Sequence, residues 1–205
     1  CNKTLKRIGF LCAESYFYTK GETIKTNEIT KKVGLPCFVK PNAAGSSFGI
    51  SKVVKREDLK DAIEFALEHN NKVLIEQFID GIEISCGIFT HEEIEVFPLT
   101  EIISHNDFFD FEAKYKGLSD EITPGRISRK ETENVQKITK HVYKELGLKG
   151  IVRIDYIIMK GTPYLIEINT IPGLSTKSII PKQAKQAGYS LSELFELTIE
   201  NTINK

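Results

Sequence analysis

The sequence predicts an α+β fold whose sheets are mainly antiparallel. Two observations carry that prediction. Short β-branched and aromatic runs follow one another through tight polar or glycine-containing turns, the signature of hairpins, and only a few stretches repeat apolar residues at helical spacing. With 205 residues, 40% of them apolar and 27% charged, the chain can bury an ordinary globular core.

Taken in order, residues 2–9 read as a short helix ending at Gly9, and Gly34-Leu35-Pro36 breaks the chain before a strand at Cys37-Phe38-Val39 that Lys40-Pro41 ends. The small polar stretch Asn42–Gly49 then turns into a second strand over Ile50–Val54. Residues 57–69 place Leu59, Ile63, Ala66 and Leu67 on one helical face, and Val73–Ile79 is too short and too β-branched to be anything but a strand.

Strands are predicted over 82–90 and 94–102 around the turn His91-Glu92-Glu93. The stretch His105–Arg126 shows no period and is expected to be a long loop; loops of that length inside a compact domain commonly act as lids. A helix over 129–146 carries Val135, Ile138, Val142 and Leu146 and stops at Gly147. Ile151–Met159 and Tyr164–Asn169 flank the four residues Lys160-Gly161-Thr162-Pro163 as a hairpin, and a helix over 190–203 closes the chain.

Composition excludes some functions. The 28 basic residues balance the 28 acidic ones, so no global field recruits nucleic acid or an anionic membrane. No apolar run reaches the ~20 residues needed to span a bilayer, and no signal peptide opens the chain, so a cytoplasmic protein without membrane or nucleic-acid partners is expected. Cys1, Cys12, Cys37 and Cys86 are scattered without Cys-x-x-Cys spacing and are expected to be reduced, mostly buried thiols. His69, His91, His105 and His141 lie apart and receive no catalytic role. The start at Cys1, without methionine, suggests a piece of a longer protein.

The chemistry concentrates in the last hairpin. Side chains alternate along a strand, so Arg153 and Asp155 share one side of the first strand, and Glu167 and Asn169 one side of the second. Two carboxylates and an amide oxygen are hard ligands that suit Mg²⁺, and an arginine beside them can neutralise a transferring phosphoryl group. A hairpin with one solvated face fits the same alternation. The flank weighs for the first: Thr170–Ser178 is a small hydroxyl-rich loop whose backbone N–H groups around Gly173 could hold an oxyanion. Ala44–Gly49 could fold over phosphates with Lys40 as point charge, although it lacks the Walker A pattern and ordinary turn chemistry would also fill it with Gly and Ser. The strand end Glu76-Gln77-Phe78-Ile79 offers backbone groups that an adenine edge can pair with, or is simply a strand running into a turn.

Phe38-Val39-Lys40-Pro41 with Gly45-Ser46-Ser47-x-Gly49, Glu76 with Glu83, Phe111-Glu112-Ala113-Lys114-Tyr115, Arg153-Ile154-Asp155, and Glu167-Ile168-Asn169-Thr170-x-Pro172-Gly173 together resemble, in this order, the motifs of D-alanine:D-alanine ligases. The resemblance implies an ATP-grasp fold, two α/β lobes holding ATP between antiparallel sheets, here as residues 1–82 and 83–205 with the family's N-terminal domain absent. It implies that Lys40 contacts the nucleotide phosphates under a loop bearing Ser46 and Ser47. By the same resemblance Glu76, Gln77, Phe78 and Ile79 line the adenine, Glu83 holds the ribose, and Lys114 reaches the γ-phosphate.

It further implies that Asp155, Glu167 and Asn169 bind two Mg²⁺ ions, with Mn²⁺ able to stand in. Arg153, the Gly173 amide, Ser46 and Tyr115 would serve the reaction, and Ser178 and Ile179 would hold the carboxylate of the second D-alanine. The product implied is D-alanyl-D-alanine for peptidoglycan, Tyr115 standing where relatives that make D-alanyl-D-lactate typically carry histidine. Ala44 replaces a frequent glutamate and Gln77 an occasional lysine, which implies altered nucleotide contacts. Full-length relatives are homodimers, and a chain without the front domain would be weakly active or inactive. Two other readings share these residues: another ATP-grasp carboxylate-amine ligase, and a nucleotide-binding module without turnover.

Overall fold

A computed structural model describes residues 2–43, 48–104 and 119–203, without the side chains of 201 and 202. The described residues divide into two compact units. One comprises residues 13–80 with Ser104 and Ser119, and the other residues 2–12, 81–103 and 120–203. The division therefore falls between Asp80 and Gly81, and residues 2–12, assigned to the first lobe from sequence, lie with the second unit.

In the first unit, β1 (Ser15–Thr19), β2 (Cys37–Pro41), β3 (Ser51–Val53) and β4 (Lys72–Gln77) form a four-stranded sheet in the order β1-β4-β2-β3 with antiparallel ladders. Register sends Tyr16, Tyr18, Cys37, Val39, Val53, Val73 and Ile75 to one face. There they pack on α2 (Thr26–Val33) through Ile29 and Val33, and on α3 (Leu59–Leu67) through Leu59, Ile63 and Ala66. The alternate residues Ser15, Phe17, Phe38, Lys40, Lys52, Leu74 and Glu76 occupy the opposite face.

The second unit is built on a six-stranded sheet. Its order is β10-β9-β5-β7-β8, with β6 paired to β5, and the strands are β5 (Ile82–Thr90), β6 (Ile94–Val96), β7 (Thr100–Ser104), β8 (Ser119–Ile122), β9 (Val152–Met159) and β10 (Thr162–Asn169). One sheet face, with Ile84, Cys86, Ile88, Val152, Ile154, Tyr156 and Leu165, packs under α1 (Asn2–Arg7) and α4 (Arg129–Glu145). Ser128 caps α4 and accepts from the Glu131 N–H while the Glu131 carboxylate accepts from the Ser128 N–H, a capping box. Toward one end of the other sheet face, Phe89 and Phe97 pack with Ile180 and Ala184 of α5 (Ile179–Gln186) and Leu194 of α6 (Leu191–Ile203).

Several elements differ from expectation. The predicted strand 94–102 is two strands, because Pro98 has no N–H for the ladder and the register slips by one residue between the pairs Ile88↔Val96 and Ser85↔Thr100. Residues 119–122, placed in the long loop, are β8. The rest of that loop, 105–118, lies outside the described residues, and so does the idea of a lid. The last hairpin closes through two residues rather than four: Met159 pairs Thr162, and Lys160 and Gly161 take φ of 50° and 77°, as a type I′ turn demands. Pro163 is therefore a strand residue, tolerated on the edge strand β10. Strand β1 and helices α2 and α5 were not predicted. No helix among the described residues is long and apolar enough to cross a membrane, and Cys12, Cys37 and Cys86 are buried and outside any disulfide among the described residues.

Candidate active site

In the second unit, Asp155 is the hub of a polar cluster on the sheet face away from α4. Ser85, its cross-strand partner on β5, donates to Asp155 Oδ1 at 2.7 Å. From within β9, Arg153 Nε reaches Oδ1 at 3.0 Å and Nη2 reaches Oδ2 at 2.9 Å; from β10, Asn169 Nδ2 donates to Oδ2 at 2.9 Å. Arg153 lies opposite both Gly87 and Asn169. Burial pushes the Arg153 guanidinium toward losing its proton, but Asp155, then Glu167 and Glu121, outweigh that and hold its pKa above the ordinary arginine value.

Glu167 joins this face through a bulge. Leu165 pairs Tyr156 and Glu167 pairs Asp155, so Ile166 is an extra residue in β10. In unbroken register Glu167 would stand across from Ile154, on the core side. The Glu167 side chain is exposed and makes no hydrogen bond with the described residues. The four polar groups predicted from alternation are therefore together, held by a device that alternation alone does not reveal.

The donor set fits Mg²⁺. It offers the unengaged Glu167 carboxylate, the Asp155 carboxylate across the ladder, and Asn169, whose Oδ1 is the amide end not spent on Asp155. These are hard oxygens beside a cation that neutralises part of their charge.

The loop after β10 leads from Asn169 to α5. A Cβ on Gly173 would come within 2.9 Å of Ser178 Oγ, so glycine permits the close approach that brings these two residues together. Ser178 is the N-cap of α5; its N–H donates to Ser175 C=O at 2.8 Å, and the two hydroxyls are 2.9 Å apart. Ile179 has a buried side chain, so what it can offer a ligand is the N–H of the first helical turn. Glu83 lies on β5, opposite Ile157 and on the same side as Ser85.

Sequence reasoning missed Ser85 and Gln183. Ser85 could have been found, since it alternates with Glu83 and Gly87 on a predicted strand. Gln183, fully buried on α5, carries no pattern: its Nε2 donates to Ser85 C=O at 2.9 Å and Thr100 Oγ1 at 3.0 Å, and its Oε1 accepts from Gly87 N–H at 2.9 Å.

The first unit presents its own candidate surface. Lys40 on β2 forms an ion pair with Glu76 on β4, its diagonal neighbour on the sheet face away from α2 and α3. Lys52 Nζ lies 4.4 Å from the Phe78 ring centroid, and Phe38 packs on Phe78 at 5.8 Å. Gln77 turns to the other side, where its Oε1 accepts from Glu14 N–H at 3.3 Å. The Phe78 N–H is spent on Pro36 C=O at 3.2 Å, whereas Ile79, just past the strand end, makes no backbone hydrogen bond with the described residues. Gly49, at φ +71°, packs where a Cβ would come within 2.5 Å of the His69 ring. Ser46, Ser47, Lys114 and Tyr115 lie outside the described residues.

The model of one family, described as D-ala D-ala ligase C-terminus, matches residues 5–200. The chain is 55% identical over 197 residues to a D-alanine--D-alanine ligase of Flavobacterium johnsoniae, covering 96% of this chain and 61% of the relative. It is similar in structure to the D-alanine--D-alanine ligase of Bacillus anthracis complexed with ATP (TM-score 0.83, 30% identity, covering 99% of this chain and 64% of that one). It is also similar to the VanG D-Ala:D-Ser ligase of Enterococcus faecalis (TM-score 0.85, 33% identity, covering 96% and 58%). The chain thus spans about three fifths of the length of such relatives, and its α+β fold is the ATP-grasp fold of these ligases.

Proposed function

Because the chain belongs to the family of D-alanine:D-alanine ligase C-terminal regions, we propose that, within a longer protein, it joins two D-alanines to D-alanyl-D-alanine for peptidoglycan at the expense of ATP. The carrying observation is the cluster of Arg153, Asp155, Glu167 and Asn169 on one face of β9 and β10. A carboxylate oxygen of the first D-alanine attacks the γ-phosphorus of ATP, the bond to the bridging oxygen breaks, ADP leaves, and an acyl phosphate is formed. The amine of the second attacks the acyl carbon, inorganic phosphate leaves, and the amine gives up a proton.

Such chemistry asks the protein mainly for position and charge. Arg153, kept protonated by Asp155 and Glu167, supplies fixed positive charge where the phosphoryl oxygens and the tetrahedral centre develop theirs. The Gly173 amide is assigned to the same centre. Ser178 and the Ile179 N–H hold the carboxylate of the second D-alanine at the start of α5, where two orphan helix donors favour an anion. Asp155, Glu167 and Asn169 Oδ1 would hold Mg²⁺, or Mn²⁺ in its place, which when bound polarises the phosphoryl oxygens.

On the first unit, Lys40 meets the nucleotide phosphates, and Ser46 and Ser47 are assigned to the same phosphates. Glu76, Phe78 and the backbone of Ile79 take the adenine, with Gln77 between them at the end of β4 contributing its backbone. Glu83 takes the ribose, Lys114 the γ-phosphate, and Tyr115 selects the acceptor. The full-length protein acts as a homodimer in the cytoplasm, where its ATP is.

Phosphate release from ATP and Mg²⁺, with and without D-alanine, tests this on the chain alone and in its full-length context. D-alanine-dependent release is expected from the full-length protein. Release driven instead by another amino acid would point to a different carboxylate-amine ligase, and ATP binding without any release would point to a module that does not turn over.

A further inference from the structure

Gln183 occupies a gap in the backbone ladder. Where β6 gives way to β7 at Pro98, Phe97 N–H donates to Gly87 C=O at 2.9 Å and Ser85 pairs Thr100, and the register slip between them leaves Gly87 N–H and Ser85 C=O to the Gln183 side chain. The amide acts as a surrogate peptide group, accepting from one residue and donating to the other. The fit is close: a Cβ on Gly87 would come within 2.5 Å of Gln183 Oε1, 2.6 Å of Ile180 Cδ1 and 2.7 Å of Phe97 Cδ2. The two residues it reads are the cross-strand partners of the site, since Ser85 stands opposite Asp155 and Gly87 opposite Arg153. Gln183 is also five residues after Ser178, roughly 7.5 Å along the helix at 1.5 Å per residue.

We propose that Gln183 is a positioning residue that sets the first turn of α5, and with it the seat of the acceptor amino acid, in register with Arg153 and Asp155. The inference rests on the ligase reading above, in which Ser178 and Ile179 hold the acceptor carboxylate. A helix free to slide or rotate by a fraction of a turn would still bind ATP and the first substrate. It would present the acceptor amine off line.

The test is steady-state kinetics of the full-length protein with Gln183→Met, which keeps the length of the side chain and loses all three of its hydrogen bonds. The KM for the acceptor D-alanine should rise about tenfold while the KM for ATP stays within about twofold, because only the geometry of the acceptor seat is disturbed. A purely structural role would lower kcat with the folded fraction and leave both KM values alone, and that result overturns the proposal. Should Gln183→Met not fold, Gln183→Glu, which retains the acceptor for Gly87 N–H and loses the donor to Ser85 C=O, is read by the same split. Absence of D-alanine-dependent phosphate release from the unaltered full-length protein would instead bring down the ligase reading and this inference with it.

Discussion

Glu167 stands opposite Asp155 in the β9–β10 ladder because Ile166 is an unpaired extra residue. The bulge turns a carboxylate that unbroken pairing would bury toward an open polar face. It leaves that carboxylate without a hydrogen bond among the described residues, beside one that already accepts from Ser85, Arg153 and Asn169.

Glu167→Gln should therefore abolish Mg²⁺-dependent phosphate release in the full-length protein. Its thermal stability should stay within about 0.5 kcal/mol of the parent, since an exposed, unbonded side chain is being replaced by an isostere. Phosphate assay and thermal unfolding measure the two effects, and full activity in this variant defeats the metal assignment.

Lys40→Ala removes the cation of the ion pair with Glu76 and the proposed phosphate contact. The KM for ATP should rise by about tenfold or more while the KM for D-alanine changes little. Titration of ATP under saturating D-alanine checks it; an unchanged KM for ATP removes Lys40 from the nucleotide site.

Gly87→Ala forces a methyl group against Gln183, Ile180 and Phe97, all buried. A loss of about 1–3 kcal/mol is expected from overpacking, seen as a fall in Tm of several degrees. A variant as stable as the parent would mean that α5 can lift from β5 at little cost.

Glu101 gives the protein an acid-sensitive contact. Hydrogen bonds from the Arg126 guanidinium, at 2.8 and 2.9 Å, hold its carboxyl below the usual glutamate value and outweigh the burial that would raise it. A depressed folded-state pKa means that this stability is present above the unfolded value and is lost as pH falls through the folded one. Below about pH 4 the parent should lose more stability on further acidification than Glu101→Gln does, given an unperturbed glutamate pKa near 4.3. Denaturation midpoints across that range decide it, and parallel curves would show that the pair contributes nothing.

What could be read from the sequence depended on periodicity. Arg153, Asp155, Glu167 and Asn169 were found because a hairpin strand separates its two faces, and α4 because Val135 and Val142 repeat at helical spacing. Strand β1 escaped because aromatic side chains lie on both its faces, Tyr16 and Tyr18 inward and Phe17 outward, which erases the alternation. Helix α2 buries only Ile29 and Val33, too few to define a period. In α5 a proline at position 181 reads as a breaker, although in a first turn its missing N–H costs nothing. The Ile166 bulge and the Gln183 amide are tertiary solutions to a register and a gap, and neither leaves a local trace.

The segment Leu11-Cys12 has a further consequence. Leu165 N–H donates to Leu11 C=O at 2.9 Å, and Cys12 bridges Leu165 in parallel, so these two residues lie along the outer side of β10, the edge strand of its sheet. A fragment cut at Gly81 would keep every strand of the second sheet yet strip this cover, exposing backbone donors and acceptors ready to template pairing with another copy. Such a fragment should aggregate where the uncut chain does not, and adding residues 2–12 as a separate peptide should suppress it.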